Sequence, residues 1–157
     1  MNRMLRGLAA GVAGTAAMTA YQLAVAKARG QRLDTPVPKT WADAPAPAQV
    51  AKKAAERIGK FRTITKQDVP LVTRAMHWLY GVGSGLAYGV PVGRRSPGAV
   101  AAGSVFGTTV WAASYAELVP LGIYEPPWTY PAEELALDLS YHLVYGIGVA
   151  AAYAALD

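Results

Sequence analysis

Four stretches without a charged side chain constrain this chain more than anything else in it. Twenty uncharged residues lie between Arg6 and Lys27, 19 between Arg74 and Arg94, 21 between Arg95 and Glu117, and 18 between Asp138 and Asp157. Each comes close to the roughly 20 residues that cross about 30 Å of hydrocarbon as an α-helix. A single membrane domain over 1–157 is therefore expected, with spans at about 6–27, 70–92, 97–118 and 134–156 and one sizeable extramembrane loop at 30–68. Mean hydropathy is only +0.19, because that loop is polar and because the spans are built from Ala and Gly rather than Leu and Ile. A soluble Ala-rich bundle is the competing expectation, but it requires a charged face on each helix, and these windows have none. The basic start followed by an apolar run ending Ala24-Val25-Ala26 also fits a secretory signal peptide with an A-x-A cleavage site.

A twelve-residue phrase occurs twice. His77 to Tyr88 reads HWLYGVGSGLAY and His142 to Tyr153 reads HLVYGIGVAAAY, so an offset of 65 aligns His, two Tyr, two Gly and an Ala and pairs Val82 with Ile147. These are the two histidines of the chain. A weaker echo pairs Gly14-Thr15 with Gly107-Thr108. Together they predict an all-α bundle of two helical hairpins related by a pseudo-two-fold along the membrane normal, as in parallel-repeat membrane folds, with the two imidazoles at equal depth.

The long loop divides in two. Pro36, Pro38, Pro45 and Pro47 keep its first half irregular. From Pro47, Val50, Ala54, Ile58 and Phe61 form an apolar stripe at helical spacing among Lys52, Lys53, Glu56, Arg57 and Lys60. That pattern fits an amphipathic helix in the lipid interface, with Lys52, Lys53, Arg57 and Lys60 toward anionic headgroups; a short soluble helix capping the bundle fits equally. Trp128, in the loop between the last two spans, suits headgroup depth. Eleven of the 15 Lys and Arg fall between Lys27 and Arg74, which by the positive-inside rule puts that loop in the cytoplasm and makes anionic lipid, not nucleic acid, the nearer partner.

Lipid tails give apolar helices no hydrophobic reason to associate, so small residues must allow close approach. Gly81, Gly85 and Gly89 form an every-fourth series, Gly103 and Gly107 a pair, and Gly146 begins another with Ala150 and Ala154. Helical spacing places His77, Tyr80 and Ser84 on one face and His142, Tyr145 and Asp138 on another, and chain direction brings Glu117 and Gln22 to the same end. An ionisable residue within a span marks a site by default. The expected polar pocket thus comprises His77, His142, Asp138, Glu117, Tyr80, Tyr145 and Gln22, facing the Trp128 loop. Its side chains either satisfy one another, or handle protons or small ligands, or offer His77 and His142 to a haem or metal; no cofactor is expected. No hydrolase or nucleotide motif occurs, so a non-enzymatic role, with lipid, a protein partner or a second copy as partner, is the favoured expectation.

The in-span histidine, the run Gly98-Ala99-Val100-Ala101-Ala102-Gly103, Pro127-Trp128 and His142-Leu143-Val144 resemble the YagU-like family of small uncharacterised bacterial inner-membrane proteins. The resemblance covers residues 77–153. It implies a polytopic inner-membrane protein and no particular activity.

Overall fold

The computed structural model describes residues 1–59, 64–89 and 98–157. They are all-helical, with five α-helices and no strand among them: α1 (Arg3–Ala28), α2 (Ala46–Ile58), α3 (Val69–Gly89), α4 (Ala99–Leu118) and α5 (Ala132–Ala155). Single 3₁₀ turns, Lys66–Asp68 and Pro127–Thr129, precede α3 and α5. The side chain of Asn2 caps α1 by accepting from the Leu5 N–H at 2.9 Å. Pro131 stands before α5, whose first turn carries Glu133 and Glu134 against the positive end of the helix dipole.

α1 and α5 are long and apolar enough to cross a membrane. α3 and α4 reach 21 and 20 residues and fall outside that pair.

α1 is the wedge of the bundle. Its buried residues include Gly7, Ala10, Gly11, Gly14 and Met18, a stripe with coiled-coil-like spacing. One flank of that stripe meets α3 and the other meets α5, while α5 also packs against α4. Each of these three pairs runs antiparallel. The expected hairpin partners, first with second span and third with fourth, are thus in contact, and α1 against α5 joins them.

The crossings are close enough to need glycine. A Cβ on Gly7 would stand 2.8 Å from the Gly85 carbonyl oxygen, and one on Gly11 would stand 2.9 Å from the Val82 Cα. On the other side, a Cβ on Gly103 would stand 2.5 Å from the Ile147 Cα, and one on Gly146 would run into the backbones of Gly103 and Gly107. A Cβ on Gly89 would stand 2.7 Å from the Arg3 carbonyl oxygen. α1 meets α5 through Gly14 and Gly148, where the added Cβ of Gly148 would lie 3.1 Å from the Gly14 Cα.

These contacts correct the echo between the first and third spans. Thr15 is buried and points at Gly81, whereas Thr108 is exposed, so the two Gly-Thr pairs do not occupy like positions. The position facing Val82 and Gly81 is Gly11, and the one facing Ile147 and Gly146 is Gly103.

α2 docks on the start of α3, where Ala44, Ala48 and Val69 form a small second core with Trp41 and Val72. Its protein-facing side is therefore Ala48, with Ala51 and Ala55 half-buried, and not the expected stripe. Val50 is half-buried, Ala54 and Ile58 are exposed, and Phe61 lies outside the described residues.

We predict that Gly85→Leu destabilises the protein by about 1–3 kcal/mol, because the added side chain must push α1 and α3 apart. Gly83→Ala is the control, since a Cβ there meets open space, and it leaves thermal unfolding in detergent unchanged or slightly raised. Equal melting temperatures for Gly85→Leu and the parent would remove this crossing as a source of stability.

Candidate functional site

Two hydrogen bonds set the depth of α5 against α3. Tyr145 donates to the Gly81 carbonyl at 2.6 Å and Tyr153 donates to the Gly89 carbonyl at 3.3 Å, both across a separation of 64 residues. Each phenol finds an acceptor in an apolar core, as burial requires. The same register brings His77 level with Tyr141 and His142.

Their partners differ. His77 Nε2 lies 3.3 Å from the Thr19 hydroxyl of α1. His142 Nδ1 lies 2.9 Å from the backbone carbonyl of Asp138, its i−4 residue, and 3.7 Å from the Asp138 carboxylate. The expected ring-to-carboxylate hydrogen bond is replaced by one to the carbonyl, because the helix places that oxygen directly beneath the ring. Asp138 Oδ2 instead accepts from the Trp111 indole N–H at 2.9 Å. Trp111 belongs to α4, so this bond ties the polar end of α4 to α5.

Around Asp138 sits an aromatic cluster that sequence reasoning missed. The Tyr115 ring packs against Trp111, Tyr124 and Tyr130 with centroids 5.4, 5.3 and 6.1 Å apart. Such edge-on and tilted contacts are the favourable arrangement of ring quadrupoles. Tyr130 fixes the loop by accepting from the Glu125 N–H at 3.0 Å. In that loop, burial and then the charge of Asp138 and the neighbouring Tyr130 push the Tyr124 phenol up to about 12. The available signal was Trp111 and Tyr115 at i, i+4 near the end of one helix, opposite a carboxylate near the start of the next.

The expected pocket is therefore only partly assembled. His142 and Asp138 come together with Trp111, and His77 lies beside Thr19. Tyr145 lies just beside them but is 2% exposed and serves as a core strut. Tyr80 is 43% exposed and Glu117 is exposed, and neither makes a side-chain hydrogen bond among the described residues. Gln22 is half-buried and makes no side-chain hydrogen bond among the described residues. Trp128, on the same end, is 81% exposed.

At the opposite end the structure reveals Arg6, a residue the sequence had marked only as part of a basic start. It is buried, with its guanidinium 4.2 Å above the Tyr153 ring, a 2.8 Å hydrogen bond to the Tyr153 carbonyl, and an ion pair with Asp157. These contacts join the beginning of α1 to the end of α5.

Among the described residues no group of three or more His, Asp or Glu is placed to hold a metal ion. What the cluster can do is hold geometry and offer a partly exposed carboxylate at one end of the bundle: the Asp138 side chain is 35% exposed and that of His142 15%.

Replacing Trp111 by Phe removes a hydrogen bond to a half-exposed charge and should cost about 1 kcal/mol in thermal unfolding, with Asp138→Asn costing less because the amide oxygen still accepts. Tyr124 gives a pH signature. Its proton is held more tightly in the fold than in the unfolded chain, so its contribution is complete below its ordinary value of 10.0 and is lost as pH rises to about 12. Ultraviolet phenolate titration of Tyr124→Phe should show one phenol fewer ionising near pH 12, and alkaline destabilisation over that window should shrink; an unchanged titration would refute the assignment.

No family model, curated protein or solved structure matches the chain.

Proposed function

We propose that this chain is a small integral membrane protein in which α1, α3, α4 and α5 all cross the bilayer as two related hairpins, and which acts by binding rather than catalysis through the polar end bearing Asp138, His142, Trp111 and Trp128. One observation carries the membrane reading. Only 28% of the apolar window of α1 and 22% of that of α5 is buried, whereas the core helix of a soluble protein is mostly covered. The outer faces agree, with Leu79 67%, Val100 67% and Val105 70% exposed. In water this surface would be a large apolar patch; in lipid it is the expected exterior.

Several features support four spans rather than two. At about 1.5 Å per residue the shorter α4 still reaches about 30 Å, the hydrocarbon thickness. The crossings through Gly11 and Gly103 are of the small-residue kind that joins helices in lipid. Their α3 and α5 partners, Gly81 with Val82 and Gly146 with Ile147, are related by the offset of 65, which supports the duplicated hairpin. The resemblance to the YagU-like inner-membrane family points the same way.

A binding role is favoured because the polar side chains satisfy one another. Trp111 on Asp138, His142 on the Asp138 carbonyl and Thr19, whose hydroxyl beside His77 donates to the Thr15 carbonyl, fix geometry, and among the described residues these groups leave no nucleophile poised by a base. A second reading, proton handling, is favoured by an imidazole beside a carboxylate, with His142 Nδ1 3.7 Å from the Asp138 side chain.

Topology is directly testable, since the chain contains no cysteine. With four spans, a membrane-impermeant thiol reagent reaches Gly98→Cys from the side opposite to Asp34→Cys; labelling of both from one side would reduce the count to two. Proteoliposomes settle the second reading: binding alone predicts equal pH flux for the parent and His142→Ala, whereas a flux lost with the imidazole would make proton handling the function.

A further inference from the structure

α2 has two usable faces, and α3 covers only one of them. Ala48 is fully buried against Val69, and Lys52 is held on the protein by Glu56 and by the Trp41 ring, 5.2 Å from its ammonium. About a third of a turn away around the helix lie Val50, Ala54 and Ile58, the last 57% exposed. Lys53 and Arg57 line one edge of this stripe, both exposed and without a carboxylate or ring partner among the described residues. The combination is an apolar strip edged by free cations on a helix whose other side is already anchored.

We propose that this second face of α2 docks on the headgroup region of an anionic bilayer, with Ala54 and Ile58 inserted at the acyl boundary and Lys53 and Arg57 against lipid phosphates. The proposal rests on the membrane reading above. Position supports it, because Val69 and Val72, on which α2 is seated, form the first turn of α3, where that helix would enter the bilayer. Charge complementarity supports it as well: apolar insertion and basic attraction to anionic lipid act together in interfacial helices. Lys52, expected from sequence to face lipid, is instead committed to the protein, and Lys60 lies outside the described residues. α2 would thus act as a strap sensing lipid charge beside the span that carries His77.

The test uses full-length single-cysteine variants carrying an environment-sensitive fluorophore. Ala54→Cys reports the proposed face, Glu56→Cys the water-facing side, and Leu79→Cys the lipid-facing side of α3. Each is reconstituted in phosphatidylcholine vesicles, with or without phosphatidylglycerol, containing a shallow lipid-borne quencher for positions 54 and 56 and a deep acyl-chain quencher for position 79. The expected result is quenching at position 54 about twofold greater than at position 56 when phosphatidylglycerol is present. Lys53→Glu with Arg57→Glu should remove that dependence on anionic lipid. Equal quenching at 54 and 56 with a quenched label at 79 overturns the docking and leaves the membrane reading intact. A label at 54 shielded in proportion to protein density identifies a second copy as the occupant and also overturns it. An unquenched label at 79 defeats both readings together.

Discussion

Backbone contact at glycine is the constraint on which the rest of the structure depends. Gly146 facing Gly103 and Gly107, and Gly85 facing Gly7 and Gly11, bring helices so near that a single methyl group would strike main-chain atoms. In the proposed lipid setting this matters more than it would in water. Lipid offers no hydrophobic drive for helix association, so dispersion contacts along closely approaching backbones, and hydrogen bonds between helices, have to hold the bundle. Tyr145 and Tyr153 supply two such bonds, to Gly81 and Gly89, and so convert close packing into a fixed register of α5 on α3.

That register shapes the polar end. Once α5 is level with α3, His142 stands at the depth of His77, and the antiparallel crossing of α4 carries Trp111 to Asp138. The aromatic loop then closes over the carboxylate, with Tyr115, Tyr124 and Tyr130 packed edge to face. The opposite end has another character. Arg6 with Tyr153 and Asp157 is a closed clasp whose charge is matched on the spot. One end fastens the bundle and the other presents chemistry.

Much of the helical layout was legible because it follows from local patterns. Absence of charge over about twenty residues marks a long apolar helix whatever its neighbours do, so the four long helices lie within a few residues of their expected bounds. The packing positions Gly81, Gly85, Gly103, Gly107 and Gly146 were legible for a similar reason: every-fourth small residues line one face. The site was less legible. His77, His142 and Asp138 were found because an ionisable group in an apolar run is conspicuous. Thr19 and Trp111 were not, since a Thr or Trp in such a run has many uses. Tyr80 was assigned by its helical face and Glu117 by the end of its helix, and both side chains are exposed.

The sequence by itself therefore determined which segments are helical, how long they are, and which residues let them touch, because these depend on spacing along one chain. Only the tertiary structure decided what faces what: that Asp138 answers to Trp111 rather than to the His142 ring, that Arg6 is buried beside Tyr153, and that α2 turns Ala48 to the protein and Ile58 away. The physical reason is that helix rotation and partner choice are fixed by contacts between segments, where a few tens of degrees move a side chain from core to exterior. No periodicity within a single segment carries that angle.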